Sequence, residues 1–374
     1  MMKRILIGGF LMMASLHGEE MTPTVMHEAV DHYYAAWKKK YVAPSSQVPG
    51  DYKINFDKRG TTVSEAIGYG MLITVTMAGV DPNAREIFDG LDRFRKRFHS
   101  SINPAFMSWK IAPNERPPHT DSATDGDLDM ALALLMAHQQ WGDANYFREA
   151  TDLIHNIGTT LVRPDFSLRL GDWNDAPSQT RPSDFMPTHF RAFQVATGDP
   201  LWGKVEDRCY AILNELQRKS APTTGLVPDF AVEKQGVWKP AKPMFLESKH
   251  DGEFYYNACR VPWRIGWAAV ATGDIRAKKI LERSMTWTIR HCDSPEDFQA
   301  GYHLHGKGLR GGDYDTACFI SPTGVAAQAT GHCAWMQGAF AYGIKSHEGY
   351  YEDSVNLLSL LVMSGRAWLP TTHP

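Results

Sequence analysis

The stretch AHQQWGDANYFREATDLI, residues 137–154, decides the fold. An apolar helical run ends at Trp141, Gly142 offers the left-handed residue that terminates a helix, and Asp143 offers a side-chain oxygen to cap the next one. From Tyr146 to Ile154 apolar residues return at helical spacing on one face only. The stretch reads as two antiparallel helices joined by a tight turn. The same block recurs as TMAGVDPNAREIFDGLDRF (76–94), VATGDPLWGKVEDRCYAIL (195–213) and VATGDIRAKKILERSMTWTI (270–289), with AYGIKSHEGYYEDSVNLL (341–358) as a looser fifth copy. The copies lie further apart than the units of tandem solenoids, and the residues between them are rich in Pro, Asp and aromatics. Sustained period-2 alternation is nearly absent, and the stretches 113–118, 177–187 and 222–243 are too irregular for strands of a large sheet. The prediction is an all-α domain of five or six helix hairpins closed as a toroid of inner and outer helices, with long loops on one face carrying the site.

Composition narrows the function classes. Hydrophobic residues at 43% and charged residues at 22% exclude a disordered, collagen-like or coiled-coil chain. With 39 Lys+Arg against 42 Asp+Glu, the net charge of -3 supplies no positive field for nucleic acid. The 11 Trp, 14 Tyr and 17 Phe provide flat faces of the kind that stack on sugar rings. Lys3 and Arg4 precede an apolar run from Ile5 to Leu16 that turns polar at Glu19, which predicts a signal peptide over residues 1–20 and one domain over 21–374. The expected location is secreted or periplasmic, with no membrane attachment after the leader is removed. Five cysteines without a CxxC rule out a disulfide scaffold or a zinc ribbon and favour buried free thiols. No cofactor and no metal are implied, and a monomer is expected.

Three segments carry candidate chemistry. In VSEAIGYGM (63–71), Ser64 reads as a helix cap and Glu65 as a first-turn carboxylate favoured by the helix dipole. Set among Ile67, Tyr69 and Met71, the Glu65 carboxyl is also desolvated, which raises its pKa toward that of a general acid. In SATDGDLDMALALLMAHQQW (122–141), Asp125, Asp127 and Asp129 open a long helix; an EF-hand fails because a helix follows. Their mutual repulsion calls for a ligand or an arginine nearby. The third segment, residues 242–270, gathers Glu247, Asp251, Glu253, Tyr255, Tyr256, Asn257, Arg260, Trp263 and Arg264. Residues 171–177 and 185–193 add Trp173, Asp175, His189 and Arg191. There is no GxSxG, no Walker loop and no HExxH, whereas carboxylates on separate helix starts with many aromatics suit hydrolysis of a glycosidic bond between an acid and a base.

SEAIGYGM, ATDGDLDMALALL, FMPTHFRAF and NACRVPWRIGW, in this order, resemble glycoside hydrolase family 8, with the likeness running from about Tyr52 to Leu358. The resemblance implies an (α/α)6 toroid and inverting endo-hydrolysis of a β-linked polysaccharide such as cellulose, mixed-linkage glucan, xylan or chitosan. It also implies Glu65 as the general acid and Asp125 as the aspartate that holds the sugar at the cleavage subsite. The chain departs from many members at Asn257, where an aspartate serves as the base; an amide cannot take that proton. Members resembling this one recruit a glutamate from the preceding loop, which leaves Glu247 and Glu253, with Glu247 preferred because Glu253 lies one turn before Asn257. Trp109, Asp127, Trp173, Tyr255, Asn257, Arg260 and Trp263 are the expected substrate-binding residues. The expected activity is that of a cellulose-type or mixed-linkage β-glucanase. The alternatives are a chitosanase or xylanase on the same scaffold, or a glycan-binding toroid that has lost its base.

Overall fold

Helices that are buried on nearly every side alternate along the chain with helices that bury one stripe. The computed structural model describes residues 21–116, 120–173 and 178–371. Its first six helices are α1 (Pro23–Tyr41), α2 (Ser64–Thr76), α3 (Ala84–Arg97), α4 (Thr124–Trp141), α5 (Ala144–Thr160) and α6 (Pro187–Thr197). The remaining six are α7 (Leu201–Ser220), α8 (Val261–Thr272), α9 (Ile275–His291), α10 (Ala317–Thr330), α11 (Cys333–Gly343) and α12 (Tyr350–Met363). The even-numbered helices form the inner ring: α2, α4, α6, α8, α10 and α12 each pack on the next, and α12 packs on α2. Each outer helix packs chiefly on the inner helix that precedes it, several of them also touch the next inner helix, and the sixth pair joins α12 to α1. The ring is closed, as an (α/α)6 toroid.

The turns follow the expected chemistry. Gly142, Gly198 and Gly273 end α4, α6 and α8 in the left-handed region, at φ 69°, 68° and 68°. Asp143 and Asp274 cap α5 and α9 by accepting the amides of Asn145 and Arg276. The fifth block differs from expectation. Its Gly343–Gly349 segment joins outer α11 to inner α12, and the fifth hairpin turns instead at Gly331–His332, where no aspartate follows the glycine. The sixth hairpin is built from the two ends of the domain: Trp37 Nε1 donates to Ser354 Oγ at 2.9 Å, and Tyr33, Lys40 and Tyr41 all reach Asp353.

Except for the short link from α11 to α12, the connections from each outer helix to the next inner one are long, and they carry all the strands among the described residues. Strands β1 (Val42–Pro44) and β2 (Tyr52–Ile54) pair, as do β3 (Thr62–Val63) and β4 (Lys110–Ile111). A three-stranded antiparallel sheet combines β5 (Gln179–Thr180), β6 (Ala231–Lys234) and β7 (Val237–Pro240). Cys209, Cys259, Cys292 and Cys318 are buried free thiols, whereas Cys333 is exposed. No described helix is long and apolar enough to cross a membrane, and the leader read in residues 1–20 lies outside the described residues.

Candidate active site

Two glycines bring the first two inner helices together. A Cβ on Gly126 would sit 2.7 Å from the carbonyl carbon of Ser64, and one on Gly68 would sit 2.9 Å from the Asp129 Cβ. Because neither side chain exists, the starts of α2 and α4 touch, and Glu65 and Asp125 come to share one guanidinium. That group is Arg260, which leads into α8. Its Nη1 donates to Glu65 Oε2 at 2.7 Å, to Asp125 Oδ2 at 2.8 Å and to the Tyr69 hydroxyl at 3.2 Å; its Nη2 donates to Ser183 Oγ at 2.9 Å and Asn257 Oδ1 at 2.8 Å. The Tyr350 hydroxyl, from the first turn of α12, reaches Glu65 Oε1 at 3.3 Å. The starts of α2, α4, α8 and α12 therefore meet at one end of the toroid, where their positive dipole ends favour a carboxylate.

The two carboxyls are driven apart in acidity. Burial pushes Glu65 up to about 7, against the Arg260 guanidinium and with the help of the Asp125 charge. Burial acts on Asp125 in the same direction, but Arg181 and Arg260 outweigh it and hold Asp125 well below the usual carboxylate range. Asp125 Oδ1 takes the Gly126 amide at 3.0 Å and faces Arg181 Nη2 at 2.9 Å, so of its acceptor sites one on Oδ2 beside Arg260 stays open. The three aspartates of the DGDLD run part company on the helix. Asp129 points down to Arg264, at 2.7 and 2.6 Å, and to His189 Nε2 at 2.8 Å, deep in the ring.

Across the opening, residues 241–257 form the wall. Asn257 places its oxygen on Arg260 and donates from Nδ2 to Glu247 Oε2 at 2.8 Å, an orientation the guanidinium dictates because it can only donate. Glu247 is exposed. Glu253 is not available in the same way: His303 Nδ1 at 2.9 Å and the Leu304 amide at 3.0 Å take its two oxygens. Asp229, which the sequence reading missed, accepts the amides of Tyr255 at 2.9 Å and Ala258 at 2.7 Å and so pins the turn that bears Asn257. Burial raises Asp229 to about 7 despite those bonds.

The expected aromatic and polar contacts divide. Trp109 is 42% exposed, and its carbonyl accepts the Ser64 amide at 2.9 Å, which ties its backbone to the start of α2 one residue before Glu65. Tyr255 is half-buried beside His250, with ring centroids 4.7 Å apart. Trp173 packs with Phe245 on Leu170, Phe230, Val232 and Ala241, at the foot of the wall that carries Glu247. Trp263, by contrast, is 1% exposed, sandwiched between Arg264, 3.9 Å over its ring, and the edge of Tyr69; it is a core residue and does not meet substrate. Asp127 is likewise buried, accepting the Met107 amide at 3.1 Å. Arg260 is buried too, and its five N–H groups serve protein acceptors, so it organises the site from below. Asn257 is 7% exposed and acts on Glu247. Ser64 is the first residue of α2 rather than its cap, and Val63 precedes it without a side-chain bond. Arg191 pairs with Glu206 and Asp274 among the helices α6, α7 and α9, and Asp175 lies outside the described residues. Ser183, Arg181 and the exposed rims Phe56 and Tyr314 stand outside the motifs read in the sequence, and Tyr350 stands in the looser fifth block, where the pattern marks a helix and not a site.

Comparison with known proteins places this arrangement. The chain is 40% identical over 365 residues to a beta-glucanase of Niallia circulans, covering 95% of this chain and 88% of that protein. It is 40% identical over 363 residues to an endoglucanase of Bacillus sp. strain KSM-330, covering 92% and 77%. A solved apo structure of a beta-1,3-1,4-glucanase from Paenibacillus sp. X4 superposes with a TM-score of 0.89 at 39% identity, over 96% of this chain and 97% of that one. A reducing-end-xylose releasing exo-oligoxylanase shares the fold at a TM-score of 0.76 and 18% identity, over 93% and 94%. The model of the glycosyl hydrolases family 8 matches residues 22–365, and the chain, a glycoside hydrolase, belongs to that family.

Proposed function

We propose that this hydrolase cuts cellulose-type or mixed-linkage β-glucan internally, by single displacement, with Glu65 as acid and Glu247 as base. One observation carries the reading: an exposed carboxylate, Glu247, is tied through Asn257 and Arg260 to a carboxyl held near neutrality, Glu65. The protonated Glu65 gives its proton to the glycosidic oxygen while Glu247 takes one from the attacking water, and inversion follows from attack opposite the leaving group. Asp125, ionised throughout, raises the pKa of Glu65 and offers its remaining Oδ2 site to a sugar hydroxyl. Asn257 fits this division of labour. An aspartate there would repel Glu247, whereas the amide donates to it.

The wall and rim supply the binding surface. Phe56, Trp109, Met244, Leu246 and Tyr314 are all exposed, and flat or aliphatic faces suit the C–H faces of a glucan chain. A chitosanase would need free carboxylates for protonated amines. Of the acidic residues near the opening, Asp125 and Asp184 face Arg181, Asp127 binds the Met107 amide, Asp251 binds backbone amides and Glu253 binds His303, which leaves Glu247 and the half-buried Asp121. The relatives at 39–40% identity are a beta-glucanase, an endoglucanase and a beta-1,3-1,4-glucanase. Export by a leader in residues 1–20 belongs to the same proposal, and N-terminal sequencing of protein recovered outside the cytoplasm checks it.

The test is reducing-sugar release from carboxymethyl-cellulose, mixed-linkage glucan, xylan and chitosan by the wild type and by Glu65→Gln, Glu247→Gln and Glu253→Gln. The expected result is cleavage of a glucan, with losses of about 10³-fold or more for the first two variants and less than about 10-fold for the third. Full activity of Glu247→Gln would remove it as the base.

A further inference from the structure

We propose that Asp251 is the positioning residue that holds Glu247 at the reacting water; the inference rests on Glu247 being the base. The segment around Glu247 packs inward through Phe245, on Phe230, and closes on itself where the Met244 amide donates to the Ser248 carbonyl at 2.8 Å. Met244 is 73% exposed, Leu246 is 53% exposed and Glu247 is exposed as well. The amides of residues 246–248 are held by one buried carboxylate. Asp251 Oδ2 accepts the amides of Leu246 at 2.6 Å and Glu247 at 3.0 Å, and its Oδ1 accepts the amide of Ser248 at 2.7 Å. Three consecutive amides converging on one anion form a nest, and bonds to an ionised acceptor are roughly twice as strong as neutral ones. Asp251 is itself anchored: its carbonyl accepts the Phe230 amide at 2.8 Å, and Phe230 is fully buried where β6 begins. The loop thus hangs from the sheet by a side chain, and Glu247 sits at its centre.

The far end of the Glu247 carboxylate is held by Asn257, whose turn is pinned by Asp229 in the same manner. Asp251 fixes the backbone of the base and Asn257 fixes its head. Asparagine at 251 keeps the shape but offers one accepting oxygen and turns an NH₂ toward amides that also donate. Glu247 would then lose its register, and an ångström of displacement in a reacting group costs about 10²-fold.

The experiment is a double-mutant cycle on mixed-linkage glucan with the full protein: wild type, Asp251→Asn, Glu247→Gln and the pair, with thermal midpoints measured alongside. Asp251→Asn is expected to lower kcat by about 10- to 100-fold while KM stays within about threefold. In the Glu247→Gln background the same substitution is expected to cost nothing, because there is no base left to misplace. An equal loss in both backgrounds, or wild-type kcat in Asp251→Asn, overturns the proposal while leaving Glu247 as base. A fully active Glu247→Gln overturns the underlying reading instead. Asp251→Ser, which retains one accepting oxygen, replaces Asp251→Asn in the cycle if that variant does not fold; if neither folds, Asp251 serves the fold and the proposal fails.

Discussion

At the scale of the residue, Glu65 links function to stability. A carboxyl raised to about 7 in the native protein, from an ordinary value of 4.5, works as an acid only while it keeps its proton. The rate of glucan cleavage is therefore expected to fall above about pH 7, tenfold per unit, as Glu65 ionises. The same shift acts on folding. A carboxyl with a raised native pKa contributes stability that is present below the unfolded value and lost as pH rises through the native one. Glu65→Gln is free of that loss. Its melting midpoint is expected to exceed that of the wild type by a few degrees at pH 8, and the gap to close toward pH 4. Calorimetry at the two pH values decides it, and an equal gap at both would contradict the buried-acid account. The raised pKa of Glu65 was legible because it stands in the first turn of a helix without a polar face. The same absence of a polar face hid the fates of Asp127 and Trp263. When a helix is buried on every side, periodicity no longer tells the rim from the core, and only the ring's geometry does.

At the scale of the element, the α2–α4 contact sets the distance between the acid and the aspartate beside it. A methyl group on Gly126 would press on the Ser64 backbone, which cannot rotate away as a side chain can. Gly126→Ala is expected to cost about 1–3 kcal/mol of stability and more than tenfold in kcat, measured by denaturant titration and steady-state rates. Three helix hairpins were visible because a left-handed glycine followed by aspartate marks the turn; at the α2–α3 turn the same block is present, but α2 is capped at Met77, ahead of Gly79, and Asn83 precedes α3. The α10–α11 turn was not legible because Gly331 is followed by His332, which brings no short side-chain oxygen to cap α11, while the looser block over 341–358 covers the α11–α12 connection. The loop-borne Glu247, the proposed base, was suggested only through its neighbour. Asn257 stands where a base is expected, and the missing acidity had to be found elsewhere.

At the scale of the whole molecule, α1 completes the ring from the far end of the chain. Met26, Val30, Tyr33, Tyr34, Trp37 and Tyr41 are buried under it. At about 1.5–3 kcal/mol for each large apolar side chain, their burial is of the same order as the 5–15 kcal/mol that holds a typical domain folded. Removing residues 21–41 is therefore expected to abolish cooperative unfolding and to expose apolar surface, seen as a flattened circular-dichroism melt and increased binding of a hydrophobic dye. A sharp melt in the truncated protein would show that α12 closes the ring alone. This pairing was not readable from local pattern, since its partners stand more than three hundred residues apart, as in the bond from Trp37 to Ser354. It also has a temporal side. Glu65 opens the first inner helix and Tyr350, its hydroxyl partner, opens the last. A chain still emerging from the ribosome has Glu65 but leaves one flank of it in water, so the carboxyl lacks the dry surroundings that keep it protonated. The seam is thus an interlock: the surroundings that raise Glu65 are complete only once the final inner helix has docked.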